Sequence, residues 1–324
     1  MSRQKSQSKQ TRVDDLWGKI ESEPIDVDGD SSESTVLFVG DSGSGKTSLI
    51  NSLLKANSSK QPKPTYALDY SFARKKNASN SGGKMVAHVW ELGGDIKEPG
   101  LLDIPISARN IKTLSIVVCC DLSKPHNILM SIRQWIKLLR EVISRKTAEH
   151  NTLHPEAPFE MDEARLAHYT AHPDERIVSL SKVPVYVVAT KYDIFKDLGS
   201  IERRVACQML RFVSHYYGAT LLTSSTIDAT LREQFKTFFN AICFRGALKV
   251  SVDSNHDRPL HITAGKDSFE NILLGSRGAG DAMGPESVQP SRGTGKVKHN
   301  CNDSCYSNYS CCFPGMCFNC VECV

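Results

Sequence analysis

No stretch of this 324-residue sequence approaches the ~20 consecutive apolar residues that a membrane-spanning helix needs. The longest apolar stretches, at residues 114–120 and 183–189, have the length of strands. The N-terminal sequence MSRQKSQSKQTR also lacks the apolar core of a secretory signal peptide. We therefore expect a cytoplasmic protein with no integral membrane segment.

The sequence also lacks an excess of charge of either sign. Its 40 Lys and Arg residues stand against 36 Asp and Glu residues, a net charge of +4. Such a balance carries no sign of a nucleic-acid partner, so we expect none. The apolar share of 40% and the charged share of 23% exclude collagen, a coiled coil and disorder over the full length. At ~150 residues per domain, the length predicts about two domains, or one large domain with tails.

Cysteine is scarce in residues 1–300. The four that occur there lie among apolar residues, as buried thiols in a reducing compartment would: Cys119, Cys120, Cys207 and Cys243. The other seven lie between Cys301 and Cys323. The last three of them have the spacing of zinc ligands, but no second ligand pair stands at a finger-like distance. A zinc knuckle, palmitoylated cysteines and a terminal segment of little fixed structure are the three open interpretations.

Composition divides the chain into five segments. Residues 1–34 are polar and predict a flexible N-terminal arm. Residues 35–250 predict a P-loop domain with an insertion at 145–180, and residues 251–275 a C-terminal extension that packs on it. Residues 276–300 contain five glycines and two prolines and predict a glycine-rich linker. Residues 301–324 are the cysteine-rich tail.

Apolar patterning predicts alternating strands and helices. Buried strands are expected at 36–39, 114–120 and 183–190, with a short strand at 221–222 and a strand pair at 67–74 and 85–91 around a turn at 80–83. A helix is expected at 48–55, and apolar residues three or four apart predict others at 128–142, 201–216 and 231–242. The expected fold is α/β, a mostly parallel sheet with one antiparallel hairpin and helices on both faces.

The insertion at 145–180 is charged and holds four of the ten histidines. His168 and His172 could share one helix face and bind a metal ion. No rigid third ligand accompanies them, so a solvated insertion is the preferred interpretation.

A glycine-rich phosphate loop is the clearest functional motif. Residues 40–47 fit the pattern G-x-x-x-x-G-K-[ST], with a buried strand before the motif and a helix after it. Glycines let backbone N–H groups turn toward phosphates, and the helix N-terminus adds partial positive charge. Lys46 can reach the β and γ phosphates, and the Thr47 hydroxyl can ligate Mg²⁺. The predicted phosphate-binding residues are Gly40, Asp41, Ser42, Gly43, Ser44, Gly45, Lys46, Thr47 and Ser48.

Two further motifs follow in the order of a GTP-binding domain. Residues 91–94 (ELGG) end the second hairpin strand, where GTPases carry D-x-x-G. Residues 190–193 (TKYD) end a buried strand, where GTPases carry [NT]-K-x-D. Asp193 there can accept two hydrogen bonds from guanine, and adenine has no matching donors. We therefore predict that Thr190, Lys191 and Asp193 bind GTP or GDP. Residues 223–225 (TSS) match the last base-contacting loop poorly.

Other positions depart from those of an active GTPase. The residue after the D-x-x-G position, commonly a Gln that orients the attacking water, is Asp95. Glu91 replaces the usual Asp behind Mg²⁺ and is one methylene longer. The candidate switch threonine, Thr65, follows a stiff Pro-Lys-Pro segment at 62–64. We therefore expect binding without efficient turnover and assign no catalytic residue.

Segments spanning residues 36–273, about three quarters of the chain, resemble the light intermediate chains of cytoplasmic dynein 2: GDSGSGKTSLI, KPTYALDYSFARK, HVWELGG, DLSKP, TKYDIF, LRFVSHYYGA and HITAGKDSF. The resemblance implies a Ras-like P-loop domain that docks on the dynein 2 heavy chain beside the other dynein 2 subunits. It also implies that the chain takes part in retrograde intraflagellar transport together with the intraflagellar transport machinery. The implied locations are the cytoplasm, the cytoskeleton, and the axoneme and basal body of the cilium.

The same resemblance implies an accessory subunit and pseudo-GTPase, because ATP hydrolysis and movement belong to the heavy chain in that family. The region after residue 275 departs from the family's polar and helical continuation. Two alternatives fit parts of the sequence. A GTP-hydrolysing switch of the Rab or Ras kind fits the phosphate loop and TKYD. Binding of an adenine nucleotide fits the loop alone, and Asp193 argues against it.

Overall fold

A computed structural model describes residues 33–54, 62–76, 84–94 and 99–274, together with 312–313 and 316–317. The strands of its main sheet are, in chain order, β1 (Glu33–Val39), β2 (Leu68–Lys76), β3 (Lys84–Leu92), β4 (Leu114–Asp121), β5 (Val185–Thr190), β6 (Thr220–Thr223), β7 (Val252–Asp253) and β8 (His261–Ile262). The α-helices of the described part are α1 (Lys46–Leu54), α2 (Ile128–Leu153), α3 (Glu163–Ala167), α4 (Tyr192–Phe195), α5 (Ser200–Tyr216), α6 (Ala229–Cys243) and α7 (Phe269–Leu274).

The sheet has the strand order β2-β3-β1-β4-β5-β6-β8-β7. Its centre is parallel, because β1 pairs with β3 and β4, β4 with β5, and β5 with β6. β2 and β3 form the antiparallel hairpin that the sequence predicts. The predicted α/β fold is therefore confirmed. At the other edge β8 pairs antiparallel with β6 and β7. The sequence did not predict β7 and β8, because a two-residue strand is too short to show a period.

Two apolar cores lie on the two faces of the sheet. Successive strand residues point to opposite faces, so the continuous apolar runs of β1, β4 and β5 supply both cores. On one face α2 and α5 pack over residues such as Leu37 and Val118, and on the other α1 and α6 pack over Val36 and Phe38. The four cysteines that precede the cysteine-rich tail are free thiols buried in these cores, as predicted. Burial raises the pKa of the Cys119 thiol to about 12, so it is unreactive at neutral pH.

Most residues of the insertion are exposed, as the preferred interpretation expects, but a few of them are buried anchors. Residues 145–153 are the last turns of α2, where His150 is buried with its Nδ1 2.7 Å from the carbonyl oxygen of Ala108. Tyr169 and Asp174 are buried as well. These buried residues anchor a segment that otherwise lies largely at the surface. The sequence could not show the anchors, because the residues that cover them come from distant parts of the chain.

The segment after α6 lies along the β6 edge and over α5. The ring of Phe269 in α7 packs against Phe212 of α5 at 4.9 Å between centroids. Arg211 of α5 and Asp267, just before α7, form a buried ion pair with two hydrogen bonds of 2.8 Å. Residues 251–274 therefore share a core with the rest of the domain.

Several sequence predictions fall on residues that the structure does not describe. They concern the arm at 1–32, the turn at 80–83, Asp95, the linker at 276–300 and most of the tail. Within the tail, β9 (Cys312–Phe313) and β10 (Met316–Cys317) pair antiparallel, and the three interpretations of its cysteines stay predictions. In the described part of the chain, no helix is both long and apolar enough to cross a membrane.

Candidate nucleotide-binding site

The phosphate loop leaves the carboxyl end of β1 and runs into the N-terminus of α1. Gly40, Gly43 and Gly45 all have positive φ angles. At Gly40 a Cβ atom would lie 2.1 Å from the carbonyl oxygen of Cys119, so only glycine lets the loop pass this close to β4. The loop thus has the backbone that turns its N–H groups toward an anion at a helix N-terminus.

The side chain of Lys46 is buried within the loop. Its ammonium donates hydrogen bonds to the carbonyl oxygens of Gly40 at 2.6 Å and Asp41 at 3.0 Å. These contacts hold the positive charge among the loop residues, where the lysine of a phosphate loop meets the β and γ phosphates.

Thr47 and Glu91 meet at the position expected for Mg²⁺. The Thr47 hydroxyl donates to Glu91 Oε1 at 2.5 Å, and the side chain of Thr65 lies near the same carboxylate. Burial raises the pKa of Glu91, although the hydrogen bond from Thr47 and the charge of Lys46 oppose the shift. Two hydroxyls and a carboxylate are a donor set suited to Mg²⁺. The structure thus brings the candidate switch threonine to the same point as the loop threonine.

The glycines after Glu91 pack directly on neighbouring backbone. A Cβ atom on Gly94 would lie 1.9 Å from the backbone nitrogen of Ser42, and one on Gly93 would lie 2.6 Å from the carbonyl oxygen of Thr65. Any side chain at these positions would push the turn away from the phosphate loop. The ELGG motif therefore sits against the loop, as D-x-x-G does in the GTP-binding pattern.

The TKYD motif lies on the other side of the loop. Thr190 Oγ1 donates to the carbonyl oxygen of Ser44 at 2.7 Å, which ties the end of β5 to the phosphate loop. Lys191 has a left-handed backbone (φ 61°), and its ammonium bonds Asp121 Oδ2 at 2.6 Å. Burial alone would raise the pKa of Asp121, but hydrogen bonds from Lys191 and Ser123 outweigh it and lower the pKa.

Ser225 orients Asp193. Its hydroxyl donates to Asp193 Oδ1 at 2.5 Å, and its oxygen accepts from the backbone N–H of Ile227 and Asp228. A cleft opens between Asp193, Ser225 and the start of α1, where Ser48 lines it. The segment 223–225, a poor match by sequence, thus supplies the residue that fixes the predicted guanine acceptor.

Trp135 is a site contact that the sequence did not indicate. Its apolar spacing placed it in the core of α2, and it is buried there. Its indole N–H donates to Asp41 Oδ1 at 2.9 Å. A buried indole N–H needs an acceptor, but nothing in the sequence shows that a phosphate-loop residue provides it.

A second group of polar residues lies away from this site. His172, Asp174 and His215 bring possible metal-ligating atoms within 4.8 Å of one another. Both ring nitrogens of His172 are hydrogen-bonded, one to the carbonyl oxygen of Asp267 and the other to the N–H of Asp174. The carboxylate of Asp174 accepts from His215 and from the backbone N–H of Phe269. The group therefore joins chain segments through protein hydrogen bonds. His168, the other candidate, is not among its members.

The chain is similar to dynein light intermediate chains along much of its length. A family model described as Dynein light intermediate chain (DLIC) matches residues 12–168. Cytoplasmic dynein 2 light intermediate chain 1 of Danio rerio is 34% identical over 247 residues, which are 74% of this chain and 66% of the relative. The protein of the same name from Homo sapiens is 33% identical over 266 residues, 79% of this chain and 75% of the relative.

Similarity to dynein 1 proteins is shorter. Cytoplasmic dynein 1 light intermediate chain 1 of Homo sapiens is 30% identical over 110 residues, 34% of this chain and 20% of the relative. Among solved structures, the conserved domain of a dynein light intermediate chain superposes with a TM-score of 0.56 at 17% identity, over 75% of this chain and 85% of that one. At that identity the superposition concerns the fold alone.

Proposed function

The chain belongs to the family of dynein light intermediate chains, and from this membership we propose that it is a non-motor subunit of a cytoplasmic dynein 2 motor. One observation carries the proposal. Relatives named for dynein 2 match 74–79% of the chain, whereas those named for dynein 1 match only 34–41%.

The proposed partners are the dynein 2 heavy chain and the other dynein 2 subunits. In this role the chain stabilises the heavy chain, which hydrolyses ATP and produces movement. We further propose that the complex serves retrograde intraflagellar transport and cilium assembly. The chain would then be found in the cytoplasm and cytoskeleton, and at the axoneme and basal body of the cilium. Resemblance to the ciliary dynein supports this part, and the relatives give no support to a Rab- or Ras-like switch.

The geometry of the phosphate loop supports binding of GDP or GTP with Mg²⁺. The loop N–H groups and Lys46 would hold the phosphates, Thr47 would ligate Mg²⁺ with Glu91 behind it, and Asp193 would hold guanine. The ion would supply positive charge to the phosphates. The longer Glu91 and the absence of a Gln at position 95 support slow turnover or none. The nucleotide would then be a structural element of the subunit.

Co-precipitation tests the assembly role. The tagged full-length chain would be expressed in ciliated cells, and the retained proteins identified by mass spectrometry against a tag-only control. We expect a dynein heavy chain together with intermediate and light chains. Recovery of exchange factors or GTPase-activating proteins without any dynein chain would overturn the proposal.

Single-turnover kinetics tests the nucleotide role separately. The purified chain would be mixed with a limiting amount of GTP, and the released phosphate followed. We expect a rate constant below ~10⁻³ s⁻¹, about that of an unassisted Ras-type enzyme. A much faster rate would show an active GTPase, whatever its partners.

A further inference from the structure

One face of the β2–β3 hairpin forms an open surface at the edge of the sheet. Residues directly opposite each other on antiparallel strands point to the same side. The register therefore places four cross-strand pairs on this face, which we call the hairpin face: Tyr70–Trp90, Phe72–His88, Arg74–Val86 and Lys76–Lys84. The core beneath α2 reaches only as far as Leu68 and Trp90. In the described part of the chain, β2 pairs with β3 alone.

The half of the hairpin face nearer the phosphate loop is aromatic. Tyr70 is 43% exposed and Phe72 is 50% exposed. Neighbouring groups fix the Tyr70 ring, because its centroid lies 4.7 Å from that of Trp90 and its hydroxyl lies 2.8 Å from His88 Nδ1. Adjacent exposed rings that are held in place are typical of a binding surface.

The other half of the hairpin face is basic. Arg74, Lys76 and Lys84 are all exposed there, and the Arg74 guanidinium lies 4.7 Å above the Phe72 ring. Cations next to aromatic rings suit a ligand that carries carboxylates beside apolar side chains.

The N-terminal arm meets this description and enters at the right place. β1 begins at Glu33, which lies beside Val86 in the sheet and has its carboxylate 3.5 Å from His88 Nε2. Residues 21–33 carry six carboxylates and no Lys or Arg. The apolar residues Leu16, Trp17 and Ile20 precede them. Followed from Glu33 toward the N-terminus, the arm is thus first acidic and then apolar. Followed from the end beside Glu33 toward the phosphate loop, the hairpin face is first basic and then aromatic.

The length of the arm is sufficient for this match. Pairs on one face of a strand are ~7 Å apart, so the aromatic pairs lie roughly 7–20 Å from the basic ones. The ten residues from Asp30 back to Ile20 can span up to ~33 Å. The family model also covers arm and hairpin together, since its match begins at residue 12 and ends at 168.

We propose that residues 16–30 bind the hairpin face of their own chain, with carboxylates on the basic pairs and apolar side chains on the aromatic pairs. The tether to β1 keeps the arm at a high effective concentration beside this face. The proposal is independent of the partner and nucleotide assignments above.

Zero-length crosslinking of the purified full-length chain tests the proposal. Carbodiimide couples a carboxylate to an amine in contact with it, and mass spectrometry then identifies the joined peptides. We expect crosslinks from Lys76 and Lys84 to carboxylates of residues 21–30, within one molecule and weakened by salt. The double variant K76E/K84E lacks both amines and makes this half of the face acidic, so these crosslinks should disappear.

Two further variants make the test specific. The matched control K196E/K236E has the same net charge, and its arm crosslinks should equal those of the unmodified chain. Adding D26K/D28K to K76E/K84E should restore the crosslinks, now between lysines of the arm and glutamates of the hairpin face. Crosslinks that form only between molecules would identify a second copy as the occupant and overturn the proposal. An absence of crosslinks between the arm and the hairpin face in the unmodified chain would also overturn it.

Discussion

At the scale of single residues, the contact between Ser225 and Asp193 tests the proposed binding of guanine. S225A removes the hydroxyl that fixes Asp193, so the carboxylate must lose rotational freedom when guanine binds. One such hydrogen bond contributes about 1 kcal/mol, which predicts roughly fivefold weaker GDP binding. Titration with a fluorescent GDP analogue measures the loss.

The neighbouring serine provides the control for this prediction. The hydroxyl of Ser224 is buried and hydrogen-bonds no described group, so S224A should leave GDP affinity unchanged. Equal losses in the two variants would mean that packing of the loop, and not the orientation of Asp193, sets the affinity.

The sequence predicts site residues that are neighbours along the chain better than site residues that only folding brings together. Residues 40–47 are recognisable because a phosphate loop is built from neighbours in the chain, and the spacing of its glycines and lysine shows in one short window. Ser225 acts on a residue 32 positions away, and Trp135 on one 94 positions away. Their roles depend on which strand ends lie side by side, and no local pattern encodes that.

At the scale of elements, a buried polar cluster joins α5 to the segments that pack on it. His215 and Arg211 project from α5 and contact Asp174 of the insertion and Asp267 of the C-terminal segment. Asp174 also accepts from the backbone N–H of Phe269 at the start of α7. Three parts of the chain that are distant in sequence therefore share one cluster, and its loss should loosen all of them.

Removing only the arginine of the buried ion pair in this cluster should destabilise the fold strongly. R211M leaves the Asp267 carboxylate buried without its guanidinium, which predicts a loss of about 3–5 kcal/mol in the free energy of unfolding. R211M/D267L removes both charges and should recover much of that loss. Urea denaturation measures both.

An exposed ion pair is the control for this variant. R145M breaks the pair with Asp103, which lies at the surface, and should cost at most about 1 kcal/mol. If R211M/D267L were as unstable as R211M, the buried charge would not be the cause.

The same cluster predicts that stability falls on mild acidification. Burial lowers the pKa of His215 below its ordinary 6.5, although the hydrogen bond to Asp174 opposes the shift. The folded protein therefore binds this proton less readily than the unfolded chain. The stability that neutral His215 provides is present above pH ~6.5 and is lost as the pH falls through the folded-state pKa. Urea denaturation across this range should show the fall.

H215Q separates the contribution of His215 to the acid sensitivity from that of the carboxylates. Glutamine can still donate to Asp174 but does not titrate, so the variant should lose stability less steeply between pH 7 and about 5. An unchanged slope would assign the acid sensitivity to groups other than His215.

The sequence predicts the longer strands and helices and not the shortest ones. β1, β4 and β5 each contain a continuous apolar run, and α2, α5 and α6 show clear helical spacing. β7 and β8 have two residues each, and α3 and α7 have five and six. Such short elements form because the rest of the domain provides a surface for them, so their own residues carry little signal. The burial of His150, Tyr169 and Asp174 in the insertion has the same cause.

At the scale of the whole molecule, nucleotide binding should be coupled to folding, because the site joins the ends of β1, β3, β5 and β6. A ligand present at 100 times its Kd stabilises a protein by about 2.7 kcal/mol. For a domain of this size we expect excess GDP with Mg²⁺ to raise Tm by about 5 °C or more. K46A removes the ammonium that we propose neutralises the phosphates and should abolish the rise. K137A, on the exposed face of α2, should keep it.

The same variant separates a structural nucleotide from a regulatory one. If the nucleotide only stabilises the fold, K46A should recover dynein subunits from ciliated cells in proportion to the amount of folded chain. Quantitative mass spectrometry, normalised to soluble K46A, measures that ratio, and we expect it to equal the ratio for K137A. A well-folded K46A that recovers no heavy chain would mean that the bound nucleotide controls assembly, because stability alone could not account for the loss. A GDP-induced rise of Tm in K46A equal to that of K137A would instead show that Lys46 does not contact the phosphates.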